Sequence, residues 1–165
     1  MIKKGIILAG GYGTRLGSLT KAVNKQLLPL YDKPLIYYPL SVLILAGIKN
    51  ILIITNKDEK SNFIKLLGDG SQLGIKITFL EQDRPKGLPD AFIVGEKFIG
   101  KDNVALILGD NFFYGLGFTN RLKKSLHKNK GATIFTYNVN NPSDYGILET
   151  DKKNKIKRIV EKPSR

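Results

Sequence analysis

Short apolar runs alternate along the chain with longer segments in which apolar residues recur at helical spacing. The short runs predict strands at residues 3–8, 50–55, 75–81, 104–108 and 132–138. The longer segments predict helices at residues 34–46, 58–67, 88–99 and 118–128. A glycine follows each of the first three, where helices commonly end. Two last strands, at residues 145–150 and 156–161, are separated by a short polar turn and are predicted to pair antiparallel.

Alternating apolar strands and helices indicate an α/β fold, in which a mainly parallel sheet is covered by helices on both faces as three layers. Phe63, Ile64 and Leu67 are predicted to share one side of their helix, and Leu122 and Leu126 to point inward. In such sheets ligands bind beyond the carboxyl ends of the strands. This rule predicts that the loop after the first strand, residues 82–87 and residues 109–111 lie along one edge of the sheet.

Length and composition limit the number of domains, the possible chemistry and the location of the protein. A chain of 165 residues with 42% apolar content suits one domain, predicted over residues 1–165. The chain has no cysteine, which excludes disulfides, thiolate catalysis and cysteine-ligated metals. Its N-terminus does not have the pattern of a secretory signal, and no apolar run approaches the ~20 residues that span a bilayer. We therefore expect a cytoplasmic protein without a membrane partner.

The formal net charge of +13 raises the question of a nucleic-acid partner. Lysine supplies most of this charge and is scattered, and the only dense run is at residues 152–158. Proteins that read a nucleic-acid groove usually concentrate arginine and lysine on one element. A lysine-rich surface without a nucleic-acid partner is therefore expected, although the charge would still attract anionic nucleotides.

A glycine-rich loop is predicted at residues 9–24, directly after the first strand. Gly10, Gly11 and Gly13 allow positive φ and let the backbone approach a ligand closely. Such a loop can direct N–H groups at phosphate oxygens, and Arg15 adds a planar set of donors. The spacing matches neither the dinucleotide fingerprint nor the phosphate loop of nucleotide hydrolases. From the residues alone, phosphate binding and a merely tight turn both remain open.

Polar residues at the ends of other predicted strands also allow two interpretations each. Asp110 follows the 104–108 strand, where it could hold Mg²⁺ or cap a turn. Gln82 could read the edge of a base or be polar surface, since its amide both donates and accepts. Glu161 and Lys162 could grip a sugar hydroxyl and a phosphate, or form a surface ion pair of little energetic value.

Two long segments, residues 5–16 and 25–40, resemble the sugar-1-phosphate nucleotidylyltransferases, and most closely their thymidylyltransferase branch. The short motifs at residues 67–71, 109–111, 114–115, 145–146 and 161–163 occur in the order that this branch shows. The resemblance implies a Rossmann-like nucleotidyltransferase fold. Members of the family continue well past the motif at 161–163, so the chain is expected to be truncated at its C-terminus or to be a natural short form.

The same resemblance implies a reaction in which dTTP and glucose 1-phosphate give dTDP-glucose and pyrophosphate. A sugar-phosphate oxygen would attack the α-phosphorus in line, with Mg²⁺ as cofactor and no covalent enzyme intermediate. A homo-oligomer is also implied. Two alternatives stay open: a non-catalytic nucleotide-binding short form, and an enzyme of the same family that uses UTP.

Matching motif positions imply the residues of the site. Nucleotide contacts are implied for Leu8, Gly10, Gly11, Thr14, Arg15, Lys25, Gln26, Gln82, Gly87 and Asp110. Sugar contacts are implied for Asn111, Gly146, Glu161 and Lys162. The implied catalytic residues carry charge: Arg15 would stabilise the leaving pyrophosphate, Lys25 would contact the phosphates, Asp110 would bind Mg²⁺, and Lys162 would neutralise the sugar phosphate.

Overall fold

The computed structural model describes residues 2–128, 131–153 and 155–163. The chain forms two compact units, Met1–Lys128 and Asn129–Arg165. Two such units can belong to one domain, so the single domain over residues 1–165 stays a prediction. The elements of the first unit are β1 (Lys4–Leu8), β2 (Pro29–Leu30), β3 (Lys33–Pro34), α1 (Tyr37–Leu45), β4 (Asn50–Asn56), α2 (Lys60–Leu67), β5 (Lys76–Gln82), α3 (Asp90–Val94), α4 (Glu96–Ile99), β6 (Val104–Leu108) and α5 (Phe118–Lys128).

A four-stranded parallel sheet is the centre of the first unit, with strand order β5-β4-β1-β6. The chain runs from β1 outward through β4 and β5, and then returns to the other side of β1 to form β6. Strand order therefore reverses between β1 and β6, and ligands of such sheets bind at this reversal, beyond the carboxyl ends of the strands. The α/β class and the parallel sheet that the sequence predicted are confirmed.

Both faces of the sheet carry a core. Ile51 and Ile53 of β4 face one side, where they pack in a buried cluster with residues of α1, α2 and α5. Leu52 and Ile54 face the other side, in a smaller cluster with Ala91 of α3. Successive side chains of a strand point to opposite faces, so the unbroken apolar run of β4 requires cover on both sides. The three-layer prediction is confirmed.

Three helix predictions need correction. The helix predicted at 34–46 begins at Tyr37, because Lys33 and Pro34 belong to the short antiparallel pair β2–β3. The helix predicted at 88–99 is divided at Gly95, where a Cβ would lie 3.1 Å from Leu52 Cδ2 and 2.8 Å from the Ala91 carbonyl. Ile64, predicted to share the buried side of α2, is 43% exposed, because only Phe63 and Leu67 of the three reach the core.

The second unit contains the antiparallel pair β7 (Gly146–Thr150) and β8 (Ile156–Glu161), as predicted. The Asp151 carboxylate closes the turn by accepting from the backbone N–H groups of Lys153 and Lys155, at 2.8 and 2.9 Å. The strand predicted at 132–138 is wrong, since this described segment has no regular secondary structure. Its apolar side chains are only partly buried: Ile134, Phe135 and Tyr137 are 47%, 48% and 74% exposed.

Candidate functional site

A cleft of about 230 Å³ opens at the carboxyl edge of the sheet, where β1, β5 and β6 end. Its walls are Leu8, Gly11, Gln26, Gln82, Pro85, Gly87, Leu88, Leu108 and Asp110. Leu8 and Leu108 are register partners at the ends of β1 and β6, so the cleft lies at the strand-order reversal. The structure thus brings most of the predicted nucleotide contacts onto one surface, while their roles stay predictions.

Gly10 lies behind the cleft wall and is buried. A Cβ at this position would overlap the Gln82 carboxamide nitrogen and would lie 3.0 Å from Asn56 Oδ1. The ends of β1, β4 and β5 therefore approach one another here only because residue 10 has no side chain. Gly11 is different: it lines the cleft, and a Cβ there would meet nothing within 4 Å.

The rest of the glycine-rich segment is more ordered than the predicted plain loop. Two short 3₁₀ turns, separated by a kink at Gly17, occupy Thr14–Thr20 directly after Gly13, which has φ 63°. The Gly13 carbonyl accepts hydrogen bonds from Leu16 N at 2.9 Å and from Thr20 Oγ1 at 3.0 Å. Thr14 and Arg15 are exposed, and Arg15 forms no ion pair within the described ranges. Its guanidinium is thus available to an anion.

Lys25 and Asp110 form an ion pair at the mouth of the cleft. Lys25 Nζ donates to Asp110 Oδ2 at 2.8 Å, and the two side chains are 31% and 33% exposed. Asp110 is held in place because Gly109 fits closely: a Cβ at residue 109 would lie 2.9 Å from Gln26 Cγ and 3.0 Å from Ala9 Cβ. The pair gives the cleft one cation and one carboxylate with partial access to water.

Asn24 organises the turn that carries Lys25 and Gln26, and the sequence analysis missed it. Its side-chain oxygen accepts from Gln26 N at 2.9 Å, and its amide nitrogen donates to the Ala9 carbonyl at 3.3 Å. An asparagine directly before a helical turn is a common N-cap, and this signal could have identified it. The buried Asn24 thus ties the 25–27 turn to the end of β1.

Buried acceptors without partners lie around the same edge. Gln26 Oε1, Thr55 Oγ1 and Asn56 Oδ1 are buried and make no hydrogen bond among the described residues. A buried acceptor without a hydrogen bond costs free energy of folding, so such groups usually indicate an additional partner, such as water or a ligand. Gln26 is part of the cleft wall, and Asn56 lies beside Gly10. No pattern in the sequence indicated Asn56.

Among the described residues that line the cleft, Asp110 has the one carboxylate that could hold a metal. Over the described residues, no group of three or more His, Cys, Asp or Glu side chains converges. Mg²⁺ does not need such a group, because it commonly binds one or two carboxylates, substrate phosphates and several waters. The donor set of the cleft, the Asp110 carboxylate with neutral oxygens nearby, therefore fits Mg²⁺.

Predicted sugar contacts of the second unit converge at one end of its hairpin. Gly146 and Glu161 are register partners, and a Cβ on Gly146 would lie 3.1 Å from Glu161 Oε2. Lys162 follows with φ 44°, and its N–H donates to the Tyr145 carbonyl at 3.0 Å. Asn111 belongs to the first unit, where its N–H donates to the Leu108 carbonyl at 3.1 Å. The roles of all four stay predictions.

Comparisons with known proteins agree on one family. The family model described as Nucleotidyl transferase matches residues 4–165. A glucose-1-phosphate thymidylyltransferase of Neisseria meningitidis is 56% identical over 162 residues, which are 98% of this chain and 56% of that protein. One of Xanthomonas campestris pv. campestris is 52% identical, over 99% of this chain and 55% of its own length. The chain thus spans little more than half the length of these relatives.

Solved structures show the same fold. A Bacillus anthracis protein proposed to be a glucose-1-phosphate thymidylyltransferase, solved in complex with a sucrose, has a TM-score of 0.89 and 36% identity. The match covers 97% of this chain and 64% of that one. A UDP-glucose pyrophosphorylase complexed with UDP-glucose has a TM-score of 0.79 and 30% identity, over 99% of this chain and 70% of the other.

Among the described residues, none of the helices has both the length and the apolar character needed to span a bilayer. The predicted location, the homo-oligomer and the absence of a nucleic-acid partner stay predictions.

Proposed function

This chain belongs to the nucleotidyl transferase family, and from that premise we propose that it transfers a thymidylyl group from dTTP to glucose 1-phosphate. A phosphate oxygen of glucose 1-phosphate attacks the α-phosphorus of dTTP. A new P–O bond forms, the bond from the α-phosphorus to the oxygen that bridges to the β-phosphorus breaks, and pyrophosphate leaves with that electron pair. The relatives' printed names, glucose-1-phosphate thymidylyltransferase, support this pair of substrates.

The observation that carries the proposal is the Lys25–Asp110 pair at a cleft whose walls include Gly11 and Gln82. A nucleoside triphosphate needs cations for its phosphates, a close backbone approach, and a group that reads the base. Lys25 and the exposed Arg15 supply the cations, and the glycine-rich segment supplies the approach. In-line transfer of this kind requires chiefly positioning and charge neutralisation, because no covalent enzyme intermediate forms.

The base and the sugar are assigned to different residues. Gln82, with the backbone of Gly87, faces the cleft and reads the base. Leu8, Gly10, Thr14 and Gln26 complete the nucleotide contacts. Asn111, Gly146 and Glu161 hold glucose hydroxyls, and Lys162 neutralises the sugar phosphate. In the second unit this assignment is supported by the convergence of Gly146, Glu161 and Lys162 at one end of the hairpin.

Asp110 is the residue that we assign to Mg²⁺. When bound, the ion neutralises charge on the phosphates as the α-phosphorus is attacked. Asp110 offers a carboxylate that is partly open to water and already held beside a cation. Lys25 contacts only one of its two oxygens, Oδ2, so the carboxylate retains capacity for a second partner.

Two measurements on the 165-residue chain, a calorimetric titration and an assay of pyrophosphate release, test the proposal. Isothermal titration calorimetry with dTTP and MgCl₂ should give one saturable site, and absence of heat at millimolar nucleotide would end the proposal. Pyrophosphate release should then require both dTTP and glucose 1-phosphate. Binding without release would leave a non-catalytic nucleotide-binding chain and would contradict the transfer reaction.

Use of UTP is the second candidate function. It is favoured by the fold and 30% identity shared with a UDP-glucose pyrophosphorylase complexed with UDP-glucose. Thymine and uracil present the same hydrogen-bonding edge, so Gln82 serves either base. Parallel titrations with dTTP and UTP decide between them: tighter binding of UTP would replace the thymidylyl reaction with a uridylyl one.

A further inference from the structure

Asn56 and Gln82 are neighbours at the carboxyl edge of the sheet. They are register partners as the last residues of β4 and β5. Both are buried, with exposures of 7% and 4%. Asn56 Oδ1 and the Gln82 carboxamide also lie within 3.0 Å of the same point, the position that a Cβ on Gly10 would take. Two buried carboxamides therefore face one glycine next to the cleft.

The Asn56 acceptor is unused. Asn56 Oδ1 has no hydrogen-bond partner in the part of the chain that the structure describes. Gln82 Nε2 is a donor beside the same glycine, and its two hydrogens can serve two acceptors. Gln82 also lines the cleft, so its carboxamide lies between an unmatched protein oxygen on one side and the ligand space on the other.

The orientation of the Gln82 carboxamide decides which base it can read. Its oxygen and its NH₂ group are similar in size, so the group can face the cleft in either of two ways. Thymine and uracil offer a donor at N3 and an acceptor at O4, whereas cytosine offers an acceptor at N3 and a donor at N4. One orientation of a glutamine therefore complements thymine or uracil, and the reverse orientation complements cytosine.

We propose that Asn56 is a positioning residue that sets this orientation and thereby makes the site select thymine or uracil over cytosine. With a base bound, Asn56 Oδ1, which makes no hydrogen bond among the described residues, accepts one hydrogen of Gln82 Nε2, while the other hydrogen and Oε1 face the base. In the reverse orientation Gln82 Oε1 would point at Asn56 Oδ1, and two acceptors would face each other unless the Asn56 carboxamide turned as well, which an aspartate at this position could not do. Gly10 lets the two carboxamides approach each other, because any side chain there would occupy the space between them.

The inference rests on the proposed function, since it assumes that Gln82 reads a pyrimidine nucleotide in the cleft. It goes further by assigning a choice among pyrimidines to a residue outside the cleft wall. A residue with only a structural role would weaken all nucleotides together. A residue that orients Gln82 would change the ratio of affinities between them.

A matched pair of variants separates these roles. Asn56→Asp keeps the side-chain shape and an acceptor at Oδ1, whereas Asn56→Leu keeps the shape and removes the acceptor. Calorimetry with MgCl₂ and either dTTP or dCTP gives the affinity ratio for each. We expect the ratio of the Asp variant to stay near that of the native chain, and the ratio of the Leu variant to fall by about tenfold or more.

Two results would overturn the inference. One is an unchanged dTTP to dCTP ratio in Asn56→Leu, even if both affinities fall. The other uses the native chain and does not depend on a variant that folds: nuclear magnetic resonance of the Gln82 side-chain amide in the dTTP complex should show both protons protected from exchange. A single protected proton would mean that Asn56 accepts none. If the native chain binds neither nucleotide, the proposed function itself fails, which is a separate outcome.

Discussion

Lys25 Nζ donates a 2.8 Å hydrogen bond to Asp110 Oδ2 and so connects the turn after the glycine-rich segment to the end of β6. Both side chains are about one-third exposed, at 31% and 33%, so water screens part of their attraction. The contact is therefore weak enough to rearrange. A metal at the other oxygen of Asp110 would weaken the attraction between the carboxylate and the Lys25 ammonium, and the ammonium could then contact the triphosphate that arrives with the metal.

The first prediction concerns Asp110→Asn, which replaces the carboxylate by an amide of the same shape. In the native chain MgCl₂ should increase the affinity for dTTP, because ion and phosphates share the site. We expect this increase to disappear in the variant. Where pyrophosphate release is measurable, its rate should fall by about a hundredfold or more. Calorimetry with and without MgCl₂ provides the measurement.

Asp58→Asn is the matched control for Asp110. Asp58 is exposed and follows β4 at the same carboxyl edge of the sheet, but it is not part of the cleft wall. Its variant should keep the magnesium effect. An Asp110→Asn chain whose dTTP affinity still rises with MgCl₂ would remove Asp110 from the metal site.

The second prediction concerns Lys25→Met, which keeps the length of the side chain and removes its charge. A hydrogen bond to a charged group is worth about 1.5–3 kcal/mol, so dTTP affinity should fall by about 10- to 100-fold. Lys21→Met is the control, since Lys21 is an exposed lysine of the same segment without an ion pair in the described ranges. Equal losses in the two variants would show that net charge, rather than the position of Lys25, attracts the nucleotide.

The third prediction separates two adjacent glycines by stability. Gly10→Ala would place a Cβ into the Gln82 carboxamide, whereas Gly11→Ala would place one in open space. Overpacking should lower the free energy of unfolding by about 1–3 kcal/mol in the first variant. The second should leave it unchanged or raise it by up to about 1 kcal/mol, since alanine restricts the unfolded chain. Urea unfolding of both chains, with no ligand present, measures the difference, and equal stabilities would contradict the packing of Gln82 against Gly10.

Local pattern was sufficient to predict the sheet and its functional edge. The run Ile51–Ile54 is apolar on both faces of β4, and only a strand covered on two sides fits that pattern. Ligands of parallel sheets bind beyond the carboxyl ends of the strands. For a parallel sheet, this rule predicts that Gly11, Gln82 and Asp110 lie at one cleft, without knowledge of any contact.

Features that depend on contacts between residues far apart in the sequence could not be predicted from local pattern. The break at Gly95 arises because α3 and α4 approach Ile6 and Leu52 of the sheet, and nothing in the 88–99 pattern indicates this. The segment 132–138 has the composition of a strand, but it has no regular secondary structure, and composition alone does not show whether a segment pairs in a sheet. Asn56 is similar: an asparagine at the end of a strand is ordinary, and only the structure shows its oxygen without a partner beside Gln82.

Stability toward acid should depend on Lys4, which holds the opposite end of the sheet. Lys4 Nζ donates to the carbonyls of Phe98 and Ile99, at 2.7 and 3.1 Å, and pairs with Asp102 Oδ2 at 2.7 Å. The hydrogen bond from Lys4 lowers the pKa of the Asp102 carboxyl below its usual value of 3.8. A depressed carboxyl pKa stabilises the fold above the unfolded pKa of about 3.9, and that contribution disappears as pH falls through the folded pKa.

The fourth prediction follows from the direction of the Asp102 pKa shift. At pH 7, Lys4→Met should lower the free energy of unfolding by about 1 kcal/mol through its lost hydrogen bonds to backbone carbonyls. It should lower it further through the lost pair with Asp102. The second part should vanish as the pH drops below about 4, so the difference in stability between the native chain and the variant should shrink in acid to the part that comes from the backbone hydrogen bonds. Urea unfolding between pH 7 and 2.5 measures this decrease. Lys49→Met, at an exposed position just before β4, should stay close to the native chain throughout, and a Lys4→Met difference that is constant with pH would show that the Asp102 pair contributes nothing to folding.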